Sequence, residues 1–238
     1  MQLFYISGFI GDACKLNEEE SRHCIKVLRL RSGDAIHLTD GKGKFYRGRL
    51  TDTHLKGCQV QIVGCDLVPR VNPWKIHIAM ALTKNIERFE WFLEKATEIG
   101  FNEITPLICE HSERTIVKIS RLEKVLVSAM KQSLKAWLPK VNEPQNFDQF
   151  IEPGFEGQKF IAWCETGLAS ELHTLYRPGS DALVLIGPEG DFSAREVDVA
   201  KKAGFVTVSL GESRLRTETA GVVACHTIDL INRVKGVS

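Results

Sequence analysis

Two stretches near the C-terminus combine glycine with charged residues in patterns that could support chemistry. The first is Gly187-Pro188-Glu189-Gly190, and the second is Leu215-Arg216-Thr217-Glu218-Thr219-Ala220. An arginine keeps its charge at any working pH, so Arg216 could stabilise negative charge that develops on a bound substrate. On residue types alone, an ion pair of Arg216 with Glu218 or Glu189 that stiffens the loop is an equally good interpretation.

The other polar residues of these stretches have a similar ambiguity. Glu218 could accept a proton or orient Arg216, but a carboxylate in the first turn of a helix is also favoured by the helix dipole, and we favour that structural role. Thr217 and Thr219 could contact a ligand or cap the helix. Glu189 could equally bind a ligand hydroxyl or hold the shape of its turn.

Each stretch follows a predicted strand and precedes a predicted helix. Leu183–Ile186 is aliphatic without alternation, which is typical of a strand buried on both faces of a parallel sheet. Val206–Leu210 is the second such strand and ends at Gly211. Ser193 with Glu196 is a capping box, and an apolar helix is predicted from about Thr219 to Val234.

The positions of the glycines predict a ligand pocket. In an open parallel sheet, ligands bind where strands end and helices begin. Gly187, Gly190 and Gly211 break the chain at such points. Their loops would form a wall of backbone amides and carbonyls, which could read the edge of an adenine without charged side chains.

The rest of the second half of the chain alternates strands and helices, so it predicts an α/β layer with a parallel sheet. The other predicted strands are Trp74–Leu82, Ile104–Ile108 and Phe160–Cys164, and the other predicted helices are Glu87–Ile99, which stops at Gly100, and residues 120–137.

Residues 1–73 are predicted to form a small β-rich barrel, followed by a proline-containing linker at Leu67–Pro73. A short helix begins at the cap Asn17 with Glu20 and runs through Leu28. The predicted strands are Phe4–Ile6, Ala35–Thr39, Phe45–Leu50 and Cys58–Val63, with a hairpin turn at Asp40–Gly43.

Basic residues of this first half could contact RNA phosphates. On the short helix, Cys24, Val27 and Leu28 are expected to face inward, while Arg22, Lys26 and Arg29 point outward. The densest basic cluster is in the hairpin, at Lys42, Lys44, Arg47 and Arg49. On residues alone, a solvated hairpin face is the favoured interpretation.

Composition sets broad limits on the class of protein. The chain has 238 residues, of which 43% are hydrophobic and 26% charged, as in an ordinary soluble globular protein. We expect no membrane span and no secretory signal, because no apolar run approaches about 18 residues. The seven cysteines include no C-x-x-C pair, and the histidines show no metal spacing. Neither a zinc site nor a disulfide framework is therefore expected. A reducing cytoplasm is the simplest location for such a protein. His226 is expected to be a buried core residue.

Taken together and in order, the motifs resemble the RsmE family, the 16S ribosomal RNA uridine-N3 methyltransferases of the SPOUT superfamily. The resemblance covers nearly the whole chain, and its most specific part is the Leu-Arg-Thr-Glu-Thr-Ala run. The matching segments are Gly187–Gly190, Leu210-Gly211, Leu215–Ala220, Leu82–Lys84, Arg88, Glu94–Gly100, Ser112–Arg114, His23–Arg29 and Gly33-Asp34.

The resemblance implies a PUA-like RNA-binding domain at residues 1–70 and a SPOUT methyltransferase domain at 74–238 with a C-terminal trefoil knot. It also implies S-adenosylmethionine as cofactor, no metal, a cytoplasmic homodimer, and 16S rRNA of the small ribosomal subunit as partner. The implied catalytic residues are Arg216 and Glu218. The implied cofactor-binding residues are Ile186, Gly187, Pro188, Glu189, Gly190, Leu210, Gly211, Leu215, Thr217, Thr219 and Ala220, and the implied RNA contacts are Arg22, Lys26, Arg29, Arg47, Arg88 and Arg114.

The chain departs from the family pattern in two places. Asp191 stands where the family usually has a second glycine after Gly-Pro-Glu-Gly, and Lys131–Lys135 stands where it tends to have Glu-Gln-x-Gly-Arg. Lys135 can replace a charge but not a bidentate fork. The two departures therefore bear on RNA contact or on substrate detail rather than on the cofactor pocket.

Three other functions compete. Another SPOUT enzyme, such as a ribose 2′-O methylase acting on tRNA or large-subunit RNA, would share the knot and the cofactor. An RNA-binding protein without catalysis is a second class, which the intact glycines disfavour. A nucleotide-dependent enzyme of ordinary doubly wound fold ranks last, because the chain has neither a G-x-G-x-x-G motif nor a P-loop.

Overall fold

The computed structural model describes residues 2–8, 11–70, 73–151, 154–163 and 170–235. The chain divides into two compact units. The first takes in positions 1–70 and 127–138, and the second takes in 71–126 and 139–238. The predicted domain limits of 1–70 and 74–238 stay a prediction, and Val71 and Asn72 of the predicted linker lie outside the described residues.

The first unit is built on a five-stranded sheet in the order β1-β3-β4-β5-β2. β1 pairs with β3 in parallel and the other neighbours are antiparallel. Phe4, Leu38 and Val60 lie in its core, each at most 1% exposed. The strands are β1 (Leu3–Tyr5), β2 (Ala13–Lys15), β3 (Ala35–Thr39), β4 (Lys44–Asp52) and β5 (Gln59–Leu67).

The short helix of this unit changes its winding half-way. α1 (Glu18–Arg22) begins where the Asn17 side chain accepts the Glu20 N–H at 2.8 Å, as predicted. A π-helical turn, His23–Val27, follows directly. Its wider winding rotates the later side chains, so Cys24 is buried but Val27 is 68% exposed. The prediction that Val27 faces inward is therefore wrong.

The second unit is built on a parallel sheet in the order β12-β10-β11-β6-β7-β8, with β9 also paired to β7. All residues of β6 and β11 are buried, which agrees with a sheet covered on both faces. The strands are β6 (Ile76–Ala81), β7 (Glu103–Ile108), β8 (Lys140–Val141), β9 (Gln145–Asn146), β10 (Gln158–Ala162), β11 (Ala182–Ile186) and β12 (Val206–Val208).

Two helices of this unit, α2 and α7, pack closely on each other. A Cβ at Gly221 would lie only 2.7 Å from the Phe92 ring, so glycine permits their close approach. α2 ends at Gly100, whose φ is +125°, as the sequence predicts. The helices are α2 (Ile86–Ile99), α3 (Ile119–Gln132, of which the last part lies in the first unit), α4 (Phe147–Ile151), α5 (Leu172–Leu175), α6 (Ala194–Lys202) and α7 (Thr217–Val234).

Several predicted boundaries are shifted. α3 stops at Gln132 rather than at 137, and Leu134 adopts a left-handed φ of +53°. β10 ends at Ala162, and Cys164 lies outside the described residues. His226 is exposed, so the expectation that it belongs to the core is wrong.

Two structural features are absent from the described residues. None of their helices is long and apolar enough to cross a membrane. Nor do they contain a group of three or more His, Cys, Asp or Glu side chains that could hold a metal ion.

Candidate active site

A cavity of about 1040 Å³ opens where β10, β11 and β12 end. The last residues of these strands, Ala162, Ile186 and Val208, form its floor. The two glycine-broken loops form its walls. We call Gly187–Asp191 the first loop and Ser209–Arg216 the second loop. The position follows the rule that parallel α/β sheets bind ligands at the carboxyl edge of their strands.

The first loop is a compact turn whose shape depends on its small residues. The Asp191 N–H donates to the Pro188 carbonyl at 2.9 Å and closes the turn. A Cβ at Gly187 would lie 3.1 Å from Phe192. Asp191 adopts a left-handed φ of +61°, a region that glycine enters freely and that aspartate tolerates better than most other residues.

The first loop is also held from outside. Glu189 lines the cavity, and its Oε1 accepts the Lys84 N–H at 3.1 Å, so one carboxylate oxygen holds the shape of the loop. Nδ1 of His111 lies 3.1 Å and 3.0 Å from the carbonyl oxygens of Gly190 and Asp191. Gly190 packs on His111, with a Cβ contact of 3.1 Å if it were substituted, and does not line the cavity.

The second loop is fixed mainly at its beginning. The Ser209 N–H donates to the Ser170 carbonyl at 3.0 Å, and the Ser209 carbonyl accepts the Leu172 N–H at 3.0 Å. This pairing ends β12 earlier than the predicted Leu210. Gly211 then turns the chain with φ +123°. The remaining residues of this loop lead directly into α7.

Arg216 is the N-cap residue of α7, yet its side chain makes no capping hydrogen bond. It is exposed and lies on the cavity wall beside Arg214. Among the described residues, neither guanidinium forms an ion pair. The alternative interpretation of a pair between Arg216 and Glu218 or Glu189 is therefore not supported.

Glu218 lies behind the wall rather than on it. Its side chain is 9% exposed, and its Oε1 is 3.9 Å from Nε of Arg88. Its Oε2 is buried and has no hydrogen-bond partner among the described residues. Arg88, predicted to contact RNA, thus has a buried carboxylate as its neighbour in the same unit.

Of the eleven predicted cofactor-binding residues, nine line the cavity. Gly190 and Thr219 do not. Sequence reasoning missed Ala162, Trp163, Val208 and Ser209, although they lie at the ends of predicted strands and the strand-end rule could have found them. Other wall residues that were missed, with no comparable signal, are Glu171, Asp191, Glu212, Ser213 and Arg214.

The predicted RNA contacts are divided between the units. Arg22, Lys26, Arg29 and Arg47 belong to the first unit and are exposed. Arg22 pairs with Glu18 at 2.5 Å and Arg47 with Asp66 at 3.2 Å. Arg114, in the second unit, donates from Nε and Nη2 to the Lys84 carbonyl at 3.2 and 3.0 Å.

Two histidines of the second unit have shifted pKa values. Burial lowers the pKa of His77, on β6, to about 4. Hydrogen bonding to the Asp191 carbonyl raises the pKa of His111, and the Gly190 carbonyl and the nearby Glu110 and Glu196 act in the same direction against partial desolvation.

Comparison with known proteins adds independent findings. The family model described as an RNA methyltransferase domain matches residues 70–229, and the one described as an RNA methyltransferase PUA domain matches residues 16–63. The ribosomal RNA small subunit methyltransferase E of Synechocystis is 32% identical over 215 residues, covering 87% of this chain and 69% of that protein.

Solved structures are similar along almost the whole chain. The crystal structure of a "probable rRNA-methyltransferase" from Porphyromonas gingivalis has a TM-score of 0.91 and 41% identity, covering 99% of this chain and 100% of that one. The ribosomal RNA small subunit methyltransferase E of Neisseria gonorrhoeae, solved bound to S-adenosyl methionine, has a TM-score of 0.86 and 28% identity, covering 97% and 98%.

Proposed function

The chain belongs to the family of small-subunit ribosomal RNA methyltransferase E, and from that premise we propose that it methylates N3 of a uridine in 16S rRNA with S-adenosylmethionine bound in the cavity. The observation that carries the assignment of the site is that both family motifs, the Gly-Pro-Glu-Gly turn and the Leu-Arg-Thr-Glu-Thr-Ala run, border one cavity at the strand ends. The N-terminal unit, with its PUA-type match, is the proposed RNA-binding module.

The cavity fits this cofactor in size and chemistry. Its volume of about 1040 Å³ is at the upper end of the usual range for small-molecule sites. The backbone of two loops and the apolar ends of three strands suit an adenine ring. Four acidic residues line the cavity against two arginines, and this excess of acidic residues favours a ligand with net positive charge; they are Glu171, Glu189, Asp191 and Glu212 against Arg214 and Arg216.

Arg216 is the proposed catalytic residue. Bound in the cavity, S-adenosylmethionine would supply an already activated methyl group, so the protein has to align the base and favour the anion left when N3 loses its proton to solvent water. A guanidinium beside the base stabilises that charge as it develops. The N-terminus of α7 carries partial positive charge as well, so an arginine there is locally unfavourable, which is expected of a residue kept for function rather than for helix stability.

Glu218 is better suited to positioning than to proton transfer. A general base must reach the proton that it abstracts. Glu218 is not on the cavity wall, and its oxygen nearest to a charged partner faces Arg88. We therefore propose that Glu218 and Arg88 hold the start of α7, while Arg216 faces the substrate.

Three wider features complete the proposal. The segment from β12 through the second loop into α7 forms the trefoil knot of the SPOUT fold, which is supported by the contribution of both loops and the start of α7 to one wall. The protein is a homodimer, which is supported by the exposure of Leu230 and Val234 on α7, at 41% and 73%. It acts in the cytoplasm, where ribosomal subunits are assembled.

Mass spectrometry of nucleosides from 16S rRNA, with and without the gene in its host, tests the function. We expect 3-methyluridine to disappear on deletion and to return with the wild-type chain but not with Arg216→Ala. Loss of a 2′-O-methylated nucleoside instead would assign the ribose-methylase alternative. An unchanged set of modified nucleosides would favour RNA binding without catalysis.

A further inference from the structure

A turn follows β7 at Cys109–Arg114 and lies against the first loop. It contacts that loop directly through His111 and indirectly through Glu196 and Lys84. The turn is itself fixed, because the Ser112 hydroxyl accepts the Cys109 N–H at 2.9 Å and the Ser112 N–H donates to the Cys109 carbonyl at 3.0 Å. None of its residues lines the cavity. It therefore acts on the cavity only through other residues, and we call it the 109–114 turn.

The first contact holds the start of α6, directly after the first loop, and the second holds the far end of the first loop. The Glu110 N–H donates to Oε1 of Glu196 at 2.9 Å, and the other oxygen of that buried carboxylate accepts the Ser193 N–H in the capping box. Both neighbours of His111 Nδ1 are carbonyl oxygens, so this nitrogen carries the proton and donates. The turn thus fixes the carbonyls of Gly190 and Asp191.

The third contact runs through Lys84 and reaches the cavity wall. Nε and Nη2 of Arg114 both donate to the Lys84 carbonyl, while the Lys84 N–H donates to Oε1 of Glu189. One peptide segment is therefore held on its carbonyl side by Arg114 and on its amide side by the wall residue Glu189. The Lys84 ammonium adds an ion pair with Glu113 at 2.7 Å, which ties the same segment to the turn again.

We propose that Arg114 is a positioning residue for the cofactor site: by fixing Lys84 it sets the position of Glu189, a residue that lines the cavity. This inference rests on the proposed function, in which that cavity holds S-adenosylmethionine. It reassigns a residue predicted to contact RNA. A charge-assisted fork onto a carbonyl uses two of the five guanidinium donors and requires a planar group, which lysine cannot supply.

The test separates cofactor affinity from RNA affinity. In Arg114→Gln, we expect the Kd for S-adenosylmethionine, measured by calorimetry without RNA, to rise about tenfold, the usual effect of losing one charged hydrogen bond. With saturating cofactor, the KM for the small subunit and kcat should stay within about twofold. Arg114→Lys keeps the charge but loses the fork, so it should weaken cofactor binding almost as much.

Arg121→Ala is the matched control, because Arg121 also makes a two-donor contact on the surface of the second unit, to Glu90, but away from the first loop. It should leave the Kd unchanged. A double variant, Arg114→Gln with Glu189→Gln, should bind no more weakly than the weaker single variant, because both changes break one linkage. If the double variant instead lost cofactor affinity by the product of the two single losses, the proposal would be overturned.

Two further outcomes would also overturn it. An Arg114→Gln variant with normal cofactor affinity and a raised KM for the small subunit would make Arg114 an RNA contact. Normal values for both would make it a surface residue without a role, and in either case the wild-type activity would leave the proposed function standing. A wild-type chain that bound no S-adenosylmethionine would remove both proposals.

Discussion

The two loops that border the cavity are built on opposite principles. The first loop is held from outside by hydrogen bonds to Lys84 and His111. The second loop is tethered at Ser209, but its later part carries Arg214 and Arg216, which form no ion pair among the described residues. We propose that this difference reflects a division of labour, in which the first loop recognises the cofactor by shape and the guanidinium of Arg216 stabilises charge that appears only during the reaction.

The largest expected effect comes from damaging the first loop itself. Gly187→Val places a branched side chain within 3.1 Å of Phe192. Overpacking costs about 1–3 kcal/mol. If the loop relieves this strain by leaving its binding position, the same free energy is lost from cofactor binding, up to roughly 100-fold in the Kd. Calorimetric titration with S-adenosylmethionine measures it. Gly154→Val, at a position with open space around its Cβ, is the control. Normal affinity in Gly187→Val would show that the first loop does not form the binding wall.

A second change tests how tightly α7, the helix that follows the second loop, is packed against α2. Gly221→Ala brings a methyl group to 2.7 Å from Phe92. We expect about 1–3 kcal/mol of lost stability, seen as a lower urea midpoint, because helices α2 and α7 must separate. Gly154→Ala again serves as the control. An unchanged midpoint would mean that the two helices are free to separate at no cost.

A third change tests whether the carboxylate of Glu218 accepts a proton in the reaction, in addition to the proposed role of Arg216. Because Glu218 is buried behind the wall beside Arg88, we expect Glu218→Gln to lower the single-turnover methylation rate by less than about tenfold, with Arg88→Gln behaving alike. A true general base contributes about 10²–10⁴. A loss in that range for Glu218→Gln alone would place the proton acceptor at this residue.

The smallest expected effect is a pH dependence confined to the first loop. The pKa of His111 is raised, because its proton is hydrogen-bonded to the Asp191 carbonyl. The interaction of the protonated ring is complete below its ordinary pKa of about 6.5 and declines as pH rises through the raised value. Cofactor affinity should therefore fall a few-fold between pH 6 and pH 8.5. The neutral ring still donates from Nδ1, which keeps the effect small.

His111→Gln should remove that part of the pH profile and leave the rest, including any titration of the cofactor itself.

His77 provides a contrast within the same unit. Its pKa is lowered to about 4, so acid below pH 6.5 should destabilise the sheet beneath both loops rather than the first loop alone. Hydrogen exchange at pH 5 would distinguish a general loosening from a local one.

The sequence predicted the parts of this comparison that depend on local rules. The buried strand before Gly187, the capping box at Ser193 and the cap at Asn17 follow from short-range chemistry and are confirmed. Nine of the eleven predicted cofactor-binding residues line the cavity, because motif order fixes which loops meet at the strand ends.

The parts that were missed depend on contacts between distant segments. The residues around Glu171 contain no pattern that predicts its bridge to Ser209. The residues around Arg114 likewise contain none that predicts its hydrogen bonds to the Lys84 carbonyl. The exposure of Val27 follows from a π-helical turn, which periodicity at 3.6 residues cannot reveal. The packing of Gly221 on Phe92 likewise needs the fold.

The most direct test of the division of labour is to measure cofactor affinity and single-turnover methylation of small subunits in the same preparation of Arg216→Ala, with Arg214→Ala as the control from the same loop. We expect the Kd for S-adenosylmethionine to change less than about threefold, while the methylation rate falls about 10²–10³-fold, the usual effect of removing one charge-stabilising donor. Arg214→Ala should lose less than about tenfold in rate. A rate that falls only in proportion to cofactor binding, or an equal loss in both variants, would contradict the assignment of Arg216 as the residue that stabilises the uracil anion.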